Sequence, residues 1–366
     1  MTTRGMSIQR IGILTGGGDA PGLNAVIRSV VLTARNRYGW DVIGIRQGFD
    51  GLLEDETQTL IFDESRIQGL LARGGTILGA VNRGNPFVKL TEGADGAVDY
   101  VDTSAQALTR LAQLGMDALI VAGGDGTMAI AQKLVDLGGK VVGVPKTIDN
   151  DLSQTDVTFG FDTAILTATE ALDKLQTTAE SHHRVMVMEV MGRNSGWLAL
   201  TAGVAGGADV ILIPEIPFDI RAVTERIQVS RASRNYSLVV VAEGAAPIGG
   251  SQEFYIQGSG LTQGRLGGIG YLVGNTIADA LGVEVRVTVL GHLQRGGQPT
   301  PRDRWLATRF GAEAVHLVAQ GQWGQMVALR GTEMIAVPMA DATEIKYVDP
   351  AGKMVQMARD LGIVFG

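Results

Sequence analysis

The chain has 366 residues, 45% hydrophobic and 19% charged, with a formal net charge of -7, which describes a globular chain with a large core and favours two domains over one. The acidic balance excludes general affinity for nucleic acid, whose phosphates are met by clustered Lys and Arg. Cysteine is absent, which excludes disulfides, thiolate nucleophiles and Cys-ligated zinc together, and four histidines leave little for a His-rich metal site.

No stretch approaches the ~20 apolar residues of a membrane-spanning helix. Residues 1–10 carry Arg4 and Arg10 and no apolar signal core, so a cytoplasmic location without a membrane partner is expected. The abundant glycines fall at the ends of apolar runs, where they punctuate turns.

In chain order, a strand over 10–15, the glycine-rich run at 16–22 and a helix over 24–38 come first. Bare amides and a helix N-terminus in this arrangement suit a phosphate, and a plain tight turn is the other reading. A second strand falls at 41–45, a short helix at 65–73 before a Gly-Gly-Thr segment, and a loop at 82–88. An amphipathic helix over 105–114 precedes a buried strand over 118–122, which ends in Gly-Gly-Asp-Gly-Thr at 123–127 before a helix over 128–137. This turn holds Asp125, which either faces a divalent cation on a bound phosphate or serves as a helix cap. The run at 140–144 is a further buried strand, which Pro145 is expected to end. Lys146, Thr147, Asp149 and Asp151 then lie beyond the carboxyl end of a central strand, the edge at which open α/β sheets bind ligands.

Alternation of strands and helices up to residue 144 argues for parallel βαβ units with right-handed crossovers. A helix over 163–177 and strands over 185–190, 208–213 and 237–242 repeat the theme, and the runs end near Arg193, Glu215 and Glu243. A helix over 270–281, a strand over 284–290 with alternating Arg and Val, a polar turn over 291–297 and a helix over 304–320 follow. No long linker separates the halves. The expected fold class is α/β, with two doubly wound Rossmann-like domains that exchange strands and hold ligands in the cleft between them. The expected boundaries are 1–160 plus about 294–344 for one domain, and about 161–293 plus about 345–366 for the other.

Two phosphate sites are the economical reading of three glycine-rich strand ends, Thr147, Asp149, Asp151 and the arginines at 184, 193, 286 and 295. The glycine turns and Asp125 would hold a phosphoryl donor with Mg2+. The arginines and His292 would hold a second phosphorylated compound, because guanidinium pairs phosphate oxygens bidentately. That describes a kinase of a small phosphorylated acceptor, which needs a carboxylate to receive the proton of the attacking hydroxyl. Asp149 is the candidate.

Over about 10–320 the chain resembles the 6-phosphofructokinases of bacterial type, on five motifs in order. These are Gly-Gly-Asp-Ala-Pro-Gly at 17–22, Gly-Gly-Asp-Gly-Thr at 123–127, Thr-Ile-Asp-Asn-Asp at 147–151, Glu-Val-Met-Gly-Arg at 189–193 and Gly-His-Leu-Gln-Arg-Gly-Gly at 291–297. The resemblance implies Mg2+-dependent phosphoryl transfer to the 1-hydroxyl of fructose 6-phosphate. It implies Asp149 as general base, Thr147 against the moving phosphoryl group, Arg193 stabilising it, Asp125 holding Mg2+ and Asp151 supporting the site. Donor contacts would come from Gly17, Arg83, Gly124, Asp125, Gly126, Thr127 and Lys146, in the first domain. Substrate contacts within one subunit would come from Thr147, Asp149, Met191, Gly192, Arg193, Glu243, His292 and Arg295. Arg184 and Arg286 would reach the 6-phosphate in a neighbouring subunit, which implies a homo-oligomer, commonly a homotetramer.

The resembling group includes users of ATP and of pyrophosphate. Gly126 is the ATP-type residue, leaving room for the nucleotide's α-phosphate where pyrophosphate enzymes carry Asp, whereas Lys146 is the pyrophosphate type. An added cation can coexist with ATP, but an Asp against the α-phosphate cannot, so ATP is the expected donor and pyrophosphate the alternative. Asn82 stands where the bacterial ATP enzymes carry a phosphate-binding Arg, and Arg83 is its expected substitute. The usual effector-site arginines are only partly present: Arg28 is kept, Leu32 replaces the second, and the later basic pair falls near Arg234 and Asn235. A non-catalytic regulator of the same fold would not need Thr147, Asp149, Asp125 and Arg193 together. Lipid and NAD kinases share Gly-Gly-Asp-Gly-Thr but are not expected to carry the motifs at 147–151 and 291–297.

Overall fold

The structure of the chain, a computed structural model, describes residues 8–53, 58–81, 84–92, 98–256 and 264–366. The chain forms two compact units, one of Met1–Thr147, Leu152–Gly160 and Arg295–Ile345, the other of Ile148–Asp151, Phe161–Gln294 and Lys346–Gly366.

The first unit opens with β1 (Arg10–Thr15), α1 (Leu23–Thr33), β2 (Asp41–Ile45), β3 (Thr59–Ile61), α2 (Glu64–Ile67) and a hairpin of β4 (Lys89–Glu92) and β5 (Val98–Val101). It continues through α3 (Ser104–Gln113), β6 (Ala118–Gly123), α4 (Asp125–Asp136), β7 (Val141–Thr147) and β8 (Phe159–Gly160). The second unit follows with α5 (Phe161–His182), β9 (Val185–Val190), α6 (Trp197–Ala205), β10 (Val210–Leu212), α7 (Ile220–Arg234) and β11 (Ser237–Ala242). A hairpin of β12 (Phe254–Ile256) and β13 (Arg265–Leu266) leads to α8 (Ile269–Leu281) and β14 (Val285–Val289). The chain returns to the first unit with α9 (Pro301–Ala319), β15 (Gln325–Arg330) and β16 (Glu333–Pro338), and ends in the second with α10 (Lys353–Asp360).

The sheet of the first unit runs β16-β15-β7-β6-β1-β2-β3, with β8 beside β7. Its central strands are parallel and its edge strands β3 and β16 antiparallel. β6 and β7 are buried along their whole length, as strands covered on both faces must be. Val26 and Ile27 of α1 pack with Phe310 and Ala314 of α9 on one face, and Leu111 of α3 with Met128 and Leu134 of α4 on the other. From β1 the chain winds to β2 in one direction and to β6 and β7 in the other, so the topological switch point lies between β1 and β6. Ligands of doubly wound sheets bind at that point, off the carboxyl ends of the strands.

The second unit carries a parallel sheet in the order β10-β11-β9-β14. α5 and α6 supply Ala168, Leu172, Ala199 and Leu200 to one face, and α7 and α8 supply Val223, Ile227, Val273 and Ile277 to the other. Its switch point lies beside β9, with β11 on one side and β14 on the other. Among the described residues no helix is long and apolar enough to cross a membrane.

Three local expectations are corrected. β7 does not end at Pro145 but runs on to Thr147. Pro145 falls between Gly143, the last residue paired with β15, and Lys146, the first paired with β8, where a strand tolerates the missing N–H. The helix expected over 24–38 is regular only to Thr33, and Ala34–Tyr38 widens into a π-turn closed by Gly39 at φ 71°. The helix expected over 65–73 is two short turns, Glu64–Ile67 and Leu70–Ala72, separated by the left-handed Gly69.

Candidate active site

In the first unit, Thr15 lies opposite Ala122, and Ala122 and Gly123 lie opposite Val144 and Pro145. β1, β6 and β7 therefore end level, and the turns after them share one carboxyl edge. Thr127, buried at the start of α4, explains two of the glycines there. A Cβ on Gly16 would lie 2.8 Å from the Thr127 Oγ1, and one on Gly123 would collide with the same side chain. The first turn is braced by two cations: Lys146, 3% exposed, donates from Nζ to the Gly18 carbonyl, and Arg295 donates from Nη1 to the Asp19 carbonyl at 3.0 Å. Arg295 thus belongs to this unit and not with the other sugar-phosphate candidates.

The N-cap of α4 is Gly124, with no side-chain cap, and Asp125 sits in the first helical turn, so the reading of Asp125 as a cap does not hold. Gly126 next to it is exposed, and a Cβ added there would meet nothing within 4 Å. Gly17, Gly124, Asp125, Gly126 and Thr127 are therefore gathered around unpaired helix-end amides and a carboxylate, which together suit an anion and its counter-cation. Thr147 closes the edge, 8% exposed, and its carbonyl accepts from Thr158 Oγ1 at 2.7 Å. Arg83 lies outside the described residues.

Ile148–Asp151 belong to the second unit. Asp149 is 4% exposed, and its carbonyl accepts from Ser195 Oγ at 3.3 Å. The next residue, Asn150, is left-handed at φ 53°, as is Arg193 at φ 48°, the kind of local backbone strain that concentrates at functional sites. Val190 lies opposite Ala242 and Glu189 opposite Val289. Met191, Gly192, Arg193, Glu243 and His292 thus gather at the carboxyl edge of this sheet. The Met191 amide donates to Gln294 Oε1 at 2.8 Å, and the Arg193 amide to Glu243 Oε1 at 3.1 Å. Arg193 and His292 are exposed, so their side chains remain accessible to a ligand.

Arg184 and Arg286 do not join this group. Arg184 directly precedes β9 and Arg286 is the second residue of β14, at the amino end of the sheet. Both pair with Glu284, Arg184 at 2.9 Å, and the Arg184 hydrogen bond holds the Glu284 carboxyl below its usual range.

Two structural residues inside the motifs escaped the sequence reading. Gln294 is fully buried and anchors Met191. Glu189, 2% exposed, accepts from the Gly268 and Gly270 amides and so caps α8; a charge inside an otherwise apolar strand was the available signal.

The model of the family described as Phosphofructokinase matches residues 10–318. The chain is 54% identical over 360 residues to the ATP-dependent 6-phosphofructokinase of Chloroflexus aggregans, covering 98% of each. It is 51% identical over 344 residues to the pyrophosphate–fructose 6-phosphate 1-phosphotransferase of Amycolatopsis methanolica, covering 93% of this chain and 96% of that one. Phosphofructokinase from Saccharomyces cerevisiae superposes with a TM-score of 0.76 at 32% identity, over 97% of this chain and 47% of the yeast chain. With a family model spanning most of its length and relatives at this level of identity, the chain belongs to the phosphofructokinase family.

Proposed function

We propose that the chain catalyses Mg2+-dependent phosphorylation of the 1-hydroxyl of fructose 6-phosphate by ATP, giving fructose 1,6-bisphosphate and ADP, as a cytoplasmic homo-oligomer. The observation that carries this reading is the segment from Lys146 to Asp151. It begins at the end of β7, level with the strands that lead into two glycine turns, and contains Thr147 and the buried Asp149.

The first unit is the donor unit in this reading, with the amides of Gly17, Gly124, Gly126 and Thr127 facing the phosphates. Asp125 would hold Mg2+ together with donor phosphate oxygens, in keeping with the one or two carboxylates that this ion usually takes from protein. The bound ion would neutralise charge on the transferring group. The second unit is the acceptor unit, where Met191, Gly192, Glu243 and His292 hold the sugar phosphate. Asp149 takes the proton of the 1-hydroxyl, Thr147 and Arg193 contact the phosphoryl group in flight, and Asp151 supports the loop. Arg184 and Arg286, held in reserve by Glu284, serve the 6-phosphate of a neighbouring copy. The open space beside Gly126 supports ATP, since nothing in the protein's own packing requires a glycine there. Pyrophosphate is the second reading, favoured by the 51% identical relative and by Lys146.

The test is Asp149→Ser. Turnover falls by at least ~10²-fold, the scale of a lost general base, while fructose 6-phosphate still binds. Near-normal turnover in the variant would overturn the assignment.

A further inference from the structure

The base-bearing loop is held by a residue that no motif contains. Lys346 lies beyond the family-matched stretch, which ends at residue 318, and it begins the last segment of the second unit. Its amide donates to the Asp151 carbonyl at 2.7 Å. Its Nζ donates to Asn150 Oδ1 at 3.4 Å and lies 5.6 Å from the centre of the Trp197 ring. Its carbonyl accepts from Trp197 Nε1 at 2.8 Å. Trp197 starts α6 directly after the loop that carries Arg193 and Ser195, and Ser195 in turn holds the Asp149 carbonyl. Lys346 therefore joins the two loops that carry the proposed base and the proposed phosphate-stabilising arginine.

The contacts fall where the backbone needs support. Asn150, the residue after Asp149, sits at φ 53°, a conformation that is strained for a non-glycine residue and persists only when its surroundings over-determine it. An ammonium on the Asn150 amide oxygen and a backbone hydrogen bond to Asp151 supply that determination. A base must be placed to a fraction of an ångström, because misplacement by about 1 Å costs on the order of 10²-fold in rate.

We infer that Lys346 is a positioning residue that fixes the kinked loop 149–151, and with it the Asp149 carboxylate, for proton abstraction. This rests on the reading of Asp149 as base given above. It assigns to the C-terminal segment a part in the chemistry and not only in the fold.

The test uses the full chain with ATP, Mg2+ and fructose 6-phosphate. Lys346→Met keeps the stem over Trp197 and removes the ammonium. It lowers kcat roughly 10-fold or more, leaves both KM values within about 3-fold, and Lys346→Arg restores most of the rate. Asn150→Gly keeps the left-handed backbone and removes the amide; its kcat loss and that of Lys346→Met do not add in the double variant, as expected of one shared contact. Unchanged kcat in Lys346→Met, or fully additive losses in the double variant, would overturn the inference. So would a fall in thermal midpoint with no split between kcat and KM. If Lys346→Met does not fold, Asn150→Gly alone decides, since it must show the same split. Failure of the underlying reading looks different: the unmodified chain does not turn over, or Asp149→Ser turns over normally.

Discussion

Gly126 is the residue on which the proposed choice of donor turns. Since a Cβ added there would meet no protein atom within 4 Å and the position is exposed, Gly126→Asp tests charge against the donor at a site with room for a side chain. It abolishes ATP turnover and leaves the thermal midpoint unchanged; continued use of ATP would refute the steric argument. Glu215 gives a pH test. Its Oε1 accepts from the Gly196 and Val348 amides at 2.9 and 2.8 Å, yet burial pushes its carboxyl above the ordinary value. The unfolded chain then ionises first, so this group costs the fold stability as pH rises from the ordinary glutamate range through the raised native value. Glu215→Gln keeps an acceptor for both amides and removes that cost. Its gain in thermal midpoint over the unmodified chain grows from pH 4 to pH 7, and a difference independent of pH would contradict the account. The candidate site residues could be picked out because motif and strand end coincide. Lys346 and Gln294 were not, because their contacts reach far along the chain and no local pattern encodes them.

At the scale of elements, the buried parallel strands were the clearest signal, since β6, β7, β9 and β11 are short, mostly apolar runs. Pro145 misled because the sequence cannot show where a neighbouring strand stops pairing, and β15 stops at Gly143. The hairpin of β15 and β16, which pairs antiparallel at the sheet edge, escaped the sequence reading. The element most dependent on one side chain is α8, whose first-turn amides are met by the Glu189 carboxylate at 2.8 Å from Gly270 N. Glu189→Ala leaves buried donors unmet and costs about 1–3 kcal/mol, read as a lower denaturation midpoint with faster amide exchange at Gly268 and Gly270. Unchanged stability would show that these amides find other partners.

At the scale of the molecule, the proposed division of labour rests on two sheets that each collect candidate site residues at their carboxyl ends. One carries glycine turns and Asp125, the other an exposed arginine, a histidine and a carboxylate loop. The α/β class and the doubly wound architecture could be read from alternation alone. The grouping of Ile148–Asp151 with the second unit could not, because the partners that meet this segment there, Ser195 and Lys346, lie far along the chain. The central claim is a transfer from ATP to fructose 6-phosphate, and the most direct measurement is turnover of the purified chain with fructose 6-phosphate and Mg2+, with ATP, ADP and pyrophosphate compared side by side. The account predicts fructose 1,6-bisphosphate formation with ATP and little with the other two. Turnover with pyrophosphate but not ATP, or with no donor at all, would contradict it.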